Sequence, residues 1–95
     1  PEYRFWMPNA FTPDDNGIND TFKPSVMGVA NYEFAIYDRW GKRIFYTNDP
    51  KQGWDGNFKG EFCKQDIYAW RISFKNVVTN QPMIQSGHVT LLRNL

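Results

Sequence analysis

The chain has 95 residues, enough for one domain, and its 11 Lys+Arg against 10 Asp+Glu leave a net charge of +1. Its cations stand singly or in pairs such as Lys42-Arg43, without the clustered basic surface that displaces counterions from a duplex, so nucleic acid is not expected as a partner. No apolar run approaches the roughly 18 to 20 residues of a membrane-spanning helix and no charged-then-apolar leader opens the chain, so direct membrane insertion is not expected and a chain starting at Pro1 reads as a fragment or a processed piece.

Composition favours β structure. The 8 Phe, 5 Tyr and 4 Trp outnumber Ile, Leu and Val together, and aromatic rings suit a pleated, half-buried surface. Tyr3 to Met7 alternates and is stopped by Pro8, which cannot donate to a ladder. Thr12 to Asp20 concentrates turn formers and predicts an ordered loop. A short strand is expected around Thr21 to Val26. Tyr32, Phe34 and Ile36 then share one face of a strand that ends near Asp38. Arg43 to Tyr46 answers it across the loop Asp38-Arg39-Trp40-Gly41-Lys42, a β-hairpin in which Gly41 supplies a positive φ. Thr47 to Gln65 reads as irregular. Asp66 to Lys75 gives the clearest alternation, with Tyr68, Trp70, Ile72 and Phe74 on one face and Ala69, Arg71, Ser73 and Lys75 on the other. A turn through Thr79 to Pro82 leads to a last strand, about Gln85 to Arg93, where Val89 and Leu91 alternate with His88 and Thr90. About seven short strands without helical periodicity predict an all-β, immunoglobulin-like antiparallel β-sandwich, a single domain over residues 1–95.

Few side chains suit catalysis. The single His, His88, lies in the last strand, and one cysteine, Cys63, can form neither an internal disulfide nor a zinc site. Lys64 cannot serve Cys63 as a base, because neighbours along a strand point to opposite faces. Asp38, Asp55 and Asp66 stand at turn-like positions, where a carboxylate ordinarily accepts backbone N–H bonds instead of joining an acid/base pair. No enzyme is expected. The acidic loop has more ligand potential: Asp14, Asn16, Asn19 and Asp20 offer the oxygens a calcium ion prefers, with Gly17 at the sharp turn. Position 12 counted from Asp14 is Ser25, which excludes an EF-hand. Two readings stand for this loop, a small calcium turn or side chains capping the loop's own amides.

The four tryptophans divide similarly. Trp6 and Trp70 have apolar or aromatic neighbours at i±2 and are expected in the core. Trp40, at the hairpin tip, and Trp54, between Gly53 and Asp55-Gly56, fit either a lid over a sheet end or an exposed platform. Trp54-Asp55-Gly56 predicts a compact corner with the indole over the core edge and the carboxylate bracing the turn. If Trp40 and Trp54 are both exposed, a carbohydrate-binding or adhesive β-sandwich is the alternative function.

The order of these pieces resembles one family. Pro8-Asn9-Ala10-Phe11-Thr12-Pro13, Asn16-Gly17-Ile18-Asn19-Asp20-Thr21-Phe22, Tyr37-Asp38-Arg39-Trp40-Gly41, Gly53-Trp54-Asp55-Gly56, Asp66 to Ile72 and Gly87-His88-Val89-Thr90-Leu91-Leu92-Arg93 together are similar to the gliding motility-associated C-terminal domain. This is the type B sorting domain of the Bacteroidetes type IX secretion system. The family loop commonly reads Pro-Asn-Gly-Asp-Gly-Ile-Asn-Asp, whereas Asp14, Asp15 and Asn16 here replace its Asn, Gly and Asp. The loop's shape is then expected to matter more than one ligand.

The resemblance implies a secretion signal at the carboxyl end of a larger cargo protein, an adhesin or secreted enzyme. The cargo would pass through the periplasm and then across the outer membrane, to the cell surface or the extracellular space. The implied partners are the type IX translocon and a PorP/SprF-type outer-membrane β-barrel, with the domain itself a monomer. Loops held by a rigid scaffold are where recognition residues collect. The expected contact residues are therefore Thr12, Asp14, Asn16, Asn19 and Asp20 in one loop and Asp38, Arg39, Trp40 and Lys42 in the other. His88 and Arg93 belong to a further candidate, the terminal segment Gly87 to Arg93, read either as a docking edge strand or as an internal strand that completes the fold.

Overall fold

The computed structural model describes residues 4–13 and 21–92. Alternation builds the main sheet. In β8 (Asp66–Asn76), Tyr68, Trp70, Ile72 and Phe74 are buried while Arg71 between them is exposed. β4 (Val29–Tyr37) buries Tyr32, Phe34 and Ile36 on the same side, and β9 (Pro82–Leu91) adds Val89 and Leu91. With β5 (Arg43–Thr47) and the short β2 (Ala10–Phe11), these strands form a five-stranded sheet in the order β2-β9-β8-β4-β5.

Two bulges adjust its register. Asn31, at φ 53°, sits in the shift between Ala30 and Glu33 in the β4–β8 pairing, where the small polar side chain tolerates the left-handed region. In the β4–β5 pairing, Ile36 opposite Phe45 and Tyr37 opposite Arg43 leave Ile44 without a partner, and its side chain is buried.

The second layer is assembled from short pieces. β1 (Arg4–Trp6) pairs antiparallel with β3 (Ser25–Met27). Phe22 and Trp54 form an isolated bridge, each amide donating to the other's carbonyl at 2.8 and 2.9 Å. β6 (Asn57–Phe58) and β7 (Glu61–Phe62) make a small hairpin. Rings close the space between the layers. Phe5 lies 6.1 Å from Phe74 and 6.2 Å from Trp70, and Trp54 lies 5.4 Å from Phe11 and 5.1 Å from Tyr68. Such pairs contribute about 0.5–1.5 kcal/mol each beyond the area they bury.

The all-β sandwich agrees with the sequence, and four details correct it. The described residues contain nine strands and not about seven, because β2, β6 and β7 are two residues long and too short to show alternation. The sandwich is not wholly antiparallel: β2 runs parallel to β9, with Ala10 opposite Thr90 and Phe11 opposite Leu91. The strand expected from Thr21 is broken by Pro24, so that Phe22 bridges to Trp54 and β3 starts only at Ser25. Trp6 is not in the core. It is 64% exposed, because in a ribbon with one covered face the inward position on β1 goes to Phe5, and its neighbour must point out.

Gly87 shows how closely a side chain of one strand lies on its neighbour in the main sheet. It pairs with Trp70, and a Cβ built on it would lie 2.7 Å from the indole Cζ2. The indole therefore lies across the backbone of β9, a close approach that only glycine permits.

Candidate functional site

Strand polarity gathers several expected residues at one end of the sandwich. Tyr37 ends β4, Asp66 opens β8 opposite Leu91 of β9, and Leu91 in turn pairs with Phe11. The Asp38 to Lys42 loop and half-buried Thr12 therefore lie at the same end. β4 and β2 are three strand spacings apart, roughly 14 Å, so the two groups occupy opposite corners of that end. Asp14, Asn16, Asn19, Asp20 and Arg93 lie outside the described residues. Among the described residues, no three His, Cys, Asp or Glu side chains come together as a metal site would need.

The hairpin loop is a self-capped unit. Asp38 Oδ1 accepts the amides of Trp40 and Lys42, both at 2.9 Å, in the manner of an Asx-turn. Backbone bonds from Asp38 N to Lys42 O and from Gly41 N to Asp38 O close it, with Gly41 at φ 83°. The indole carried by this loop stands out in solvent: Trp40 is 75% exposed.

One side chain of the loop and one from a second segment hold that ring. The Arg39 guanidinium carbon lies 5.8 Å from the Trp40 ring centroid and Lys64 Nζ lies 5.6 Å from it, within cation–π range. Asp66 ties both cations, with Arg39 Nε at 3.4 Å and Lys64 Nζ at 3.9 Å from Oδ2, while its Oδ1 accepts the Ile67 amide at 2.8 Å. Tyr68 fixes the strand entry by donating from its hydroxyl to Lys64 O at 2.7 Å. On the other side of the loop, Lys42 and Lys59 lie 5.0 and 5.5 Å from the Phe58 ring centroid. The result is an exposed aromatic and cationic cluster whose main ion-pair partner is Asp66. Exposed ion pairs stabilise by no more than about 1 kcal/mol, so this arrangement orients side chains more than it holds the fold.

Sequence reasoning missed Lys64, Asp66, Phe58 and Lys59 as members of this cluster. Lys64 and Asp66 flank the start of the clearest strand, and a hairpin loop at the end of β4 must lie beside the start of an antiparallel β8. That adjacency was the available signal. The three aspartates behave as the turn positions indicate, Asp55 likewise accepting the Asn57 amide at 3.0 Å. Half-buried Cys63 packs against the core. The two loop tryptophans take opposite fates. Trp54 is fully buried and donates from Nε1 to Asn57 O at 3.0 Å, so a sugar platform made of Trp40 and Trp54 does not form.

His88 is exposed on the outer face of the sheet, opposite Ala69. The same face carries a shallow groove of about 260 Å³ lined by Glu33, Tyr37, Arg43, Tyr46 and Arg71. Tyr46 donates to Glu33 Oε1 at 2.8 Å, and this hydrogen bond, with smaller contributions from burial and the Glu33 charge, holds the phenol above its ordinary pKa. The terminal segment is inner at Thr90 and Leu91, where β2 covers it: Thr90 N donates to Asn9 O and Leu92 N to Phe11 O. At Thr90 and Leu91 the segment is therefore an internal strand, while Gly87 and His88 have no strand beside them on that side among the described residues.

A family model for the CHU_C type IX secretion signal domain matches residues 5–91, from the ring of Phe5 on β1 to the end of β9. No curated protein and no solved structure matches the chain. The matching family is one of export signals and not of enzymes, and its residues span both layers of the sandwich, the hairpin loop and the strand that β2 completes. The chain therefore belongs to the type IX secretion signal domain family, and it is a signal for export to the cell surface or extracellular space by that machinery.

Proposed function

We propose that this domain is the carboxyl-terminal address of a larger cargo protein, read in its folded form by the type IX translocon and a PorP/SprF-type outer-membrane β-barrel after transit through the periplasm. The observation that carries this reading is Trp40, a large apolar ring held out in solvent between Arg39 and Lys64. Aromatic and arginine side chains are the residue types that anchor protein interfaces. A linear peptide could not hold the geometry, because Lys64 and Asp66 reach the hairpin loop only through the pairing of β4 with β8. Asp38, Arg39, Trp40 and Lys42 form the contact surface, with Thr12 at the far corner of the same end. Asp14, Asn16, Asn19 and Asp20, outside the described residues, are assigned to the same recognition role on their sequence alone.

The test fuses the chain to a periplasm-directed fluorescent reporter in a bacterium that has the pathway. Wild-type fusion should reach the cell surface or medium. Trp40→Ala and Asp66→Ala fusions should accumulate in the periplasm although circular dichroism shows them folded. A folded wild-type fusion retained in the periplasm would overturn the reading.

A further inference from the structure

The two edges of the main sheet differ in a way that the loop cluster does not explain. β5, at one edge, is five residues long, is bulged at Ile44 and starts with Arg43, three devices that discourage another strand from joining. β9, at the other edge, has none of them along its length. Its pairing with β8 runs from Pro82 to Leu91 without a register shift. From Asn76 through Leu92 there is no Asp, Glu, Lys or Arg, in a chain where 22% of residues are charged. β2 covers only Thr90 and Leu91. Among the described residues, no strand pairs with the preceding part of this edge.

The backbone direction follows from the bonds β2 makes. Thr90 N and Leu92 N point toward β2. Successive residues of a strand alternate sides, so Ile84, Ser86 and His88 aim their N–H and C=O groups at the same open edge. Ile84 is 61% exposed there. A second observation comes from behind the strand. Trp70 is only 8% exposed, its indole lies over Gly87, and Nε1, at 3.2 Å from the Cβ position of that glycine, has no hydrogen-bond partner among the described residues. A buried donor without an acceptor costs about 1–3 kcal/mol, and this one lies at the strand that faces the open edge.

We propose that the Ile84 to His88 edge of β9 is a strand-addition site, at which an extended, uncharged segment of a protein of the export machinery continues the line that β2 begins and supplies an acceptor near Trp70 Nε1. The inference rests on the secretion-signal reading and adds a mode of docking to it. Main-chain pairing provides the affinity and side chains at alternate positions the selectivity. With no charged residue on this edge, its contribution is insensitive to ionic strength, in contrast to the cationic cluster around Trp40.

The experiment uses the same reporter fusion with Ile84→Lys, which sets a charge on the exposed face of the edge, and Ser86→Pro, which removes an edge-facing N–H without breaking a bond to β8. Both should melt near the wild-type temperature and lower export by about tenfold or more. Export of a folded Ile84→Lys fusion at the wild-type level overturns the strand-addition site whether or not Ser86→Pro folds. Trp40→Ala would still lose export in that case, leaving the sorting reading intact. Failure of the wild-type fusion to leave the periplasm overturns both. Sedimentation of the purified chain should give a monomer; a dimer that Ile84→Lys dissociates, with export unchanged, assigns the edge to a second copy and overturns the machinery as its occupant.

Discussion

Trp54 and Trp40 make an instructive pair. Each sits in a loop beside a glycine and close to an aspartate that caps the following turn, yet Trp54 is fully buried and Trp40 is the more exposed of the two by three-quarters of its surface. The difference lies in what the backbone does and not in the local sequence. The segment around Trp54 is bound to Phe22 by two backbone hydrogen bonds, which lay the indole over Phe11 and Tyr68 and bring Nε1 to Asn57 O. The hairpin loop closes through its own backbone and the Asp38 carboxylate, and its side-chain tie to the sheet is the exposed Arg39–Asp66 ion pair, so its indole leaves the sheet end and meets Arg39 and Lys64 instead. A ring that is hidden stabilises; a ring that is held out is available to a partner.

The strongest way to break the comparison is Trp54→Ala. It removes the largest fully buried side chain and should cost about 3–5 kcal/mol in denaturant unfolding, enough to threaten folding of a small domain. A loss below about 1 kcal/mol would mean the indole is not central to the core. Gly53→Ala attacks the same corner through the backbone. Its Cβ would lie 3.0 Å from Thr21 Cβ and 3.1 Å from Phe22 O, so the Phe22–Trp54 bridge must yield, at about 1–3 kcal/mol. Tryptophan fluorescence should shift to longer wavelength as Trp54 gains solvent.

Asp38→Ala probes the other loop. It leaves the Trp40 and Lys42 amides without their acceptor, and since water can replace it at this exposed site the loss should be about 1 kcal/mol. Export should fall with it, because Trp40 loses its position.

How far these fates could be read from the chain depends on the length of the pattern. The faces of β4 and β8 were legible because the period-two alternation of Tyr32, Phe34 and Ile36 and of Tyr68, Trp70, Ile72 and Phe74 leaves no other way to bury those side chains together. The hairpin turn at Gly41 and the capping roles of Asp38 and Asp55 were legible as local chemistry. Trp6 was not, because alternation alone does not tell which face of a two-stranded ribbon is covered. Nor was the cluster of Arg39, Lys64 and Asp66, which arises from strand polarity across residues far apart in sequence. The parallel β2–β9 contact involves two residues and carries no pattern at all.

Tyr32→Phe sharpens the contrast between buried rings whose polar tips are tied and those whose tips are not. Trp54 Nε1 has Asn57 O, whereas the buried Tyr32 hydroxyl has no partner among the described residues. Removing it should leave stability unchanged or raise it by up to about 1 kcal/mol. The pH dependence has a definite sign. Burial, and then the Asp49 charge, raise the Tyr32 pKa above its ordinary value of 10.0. Its contribution is therefore fully present below about pH 10 and is lost as pH rises beyond that through the folded pKa. Melting temperatures measured from neutral pH to above pH 10 should fall less steeply for Tyr32→Phe than for wild type. Parallel curves would show that this phenol is not what alkali ionises.

Trp40→Ala is expected to have the smallest effect on stability and the largest on function. The indole buries little and its cation contacts are solvent-exposed, so unfolding free energy should stay within about 0.5 kcal/mol of wild type. Circular dichroism and denaturant midpoints measured beside the export assay decide between two origins for any loss. If export falls while the midpoint holds, the ring acts outside the fold, as a group that a partner grips. If both fall together, Trp40 braces the hairpin and the recognition surface must be sought elsewhere on the sandwich. Trp40→Phe separates ring from indole: it keeps an apolar face between Arg39 and Lys64, so partial recovery of export would assign the contact to the aromatic surface and not to the indole N–H.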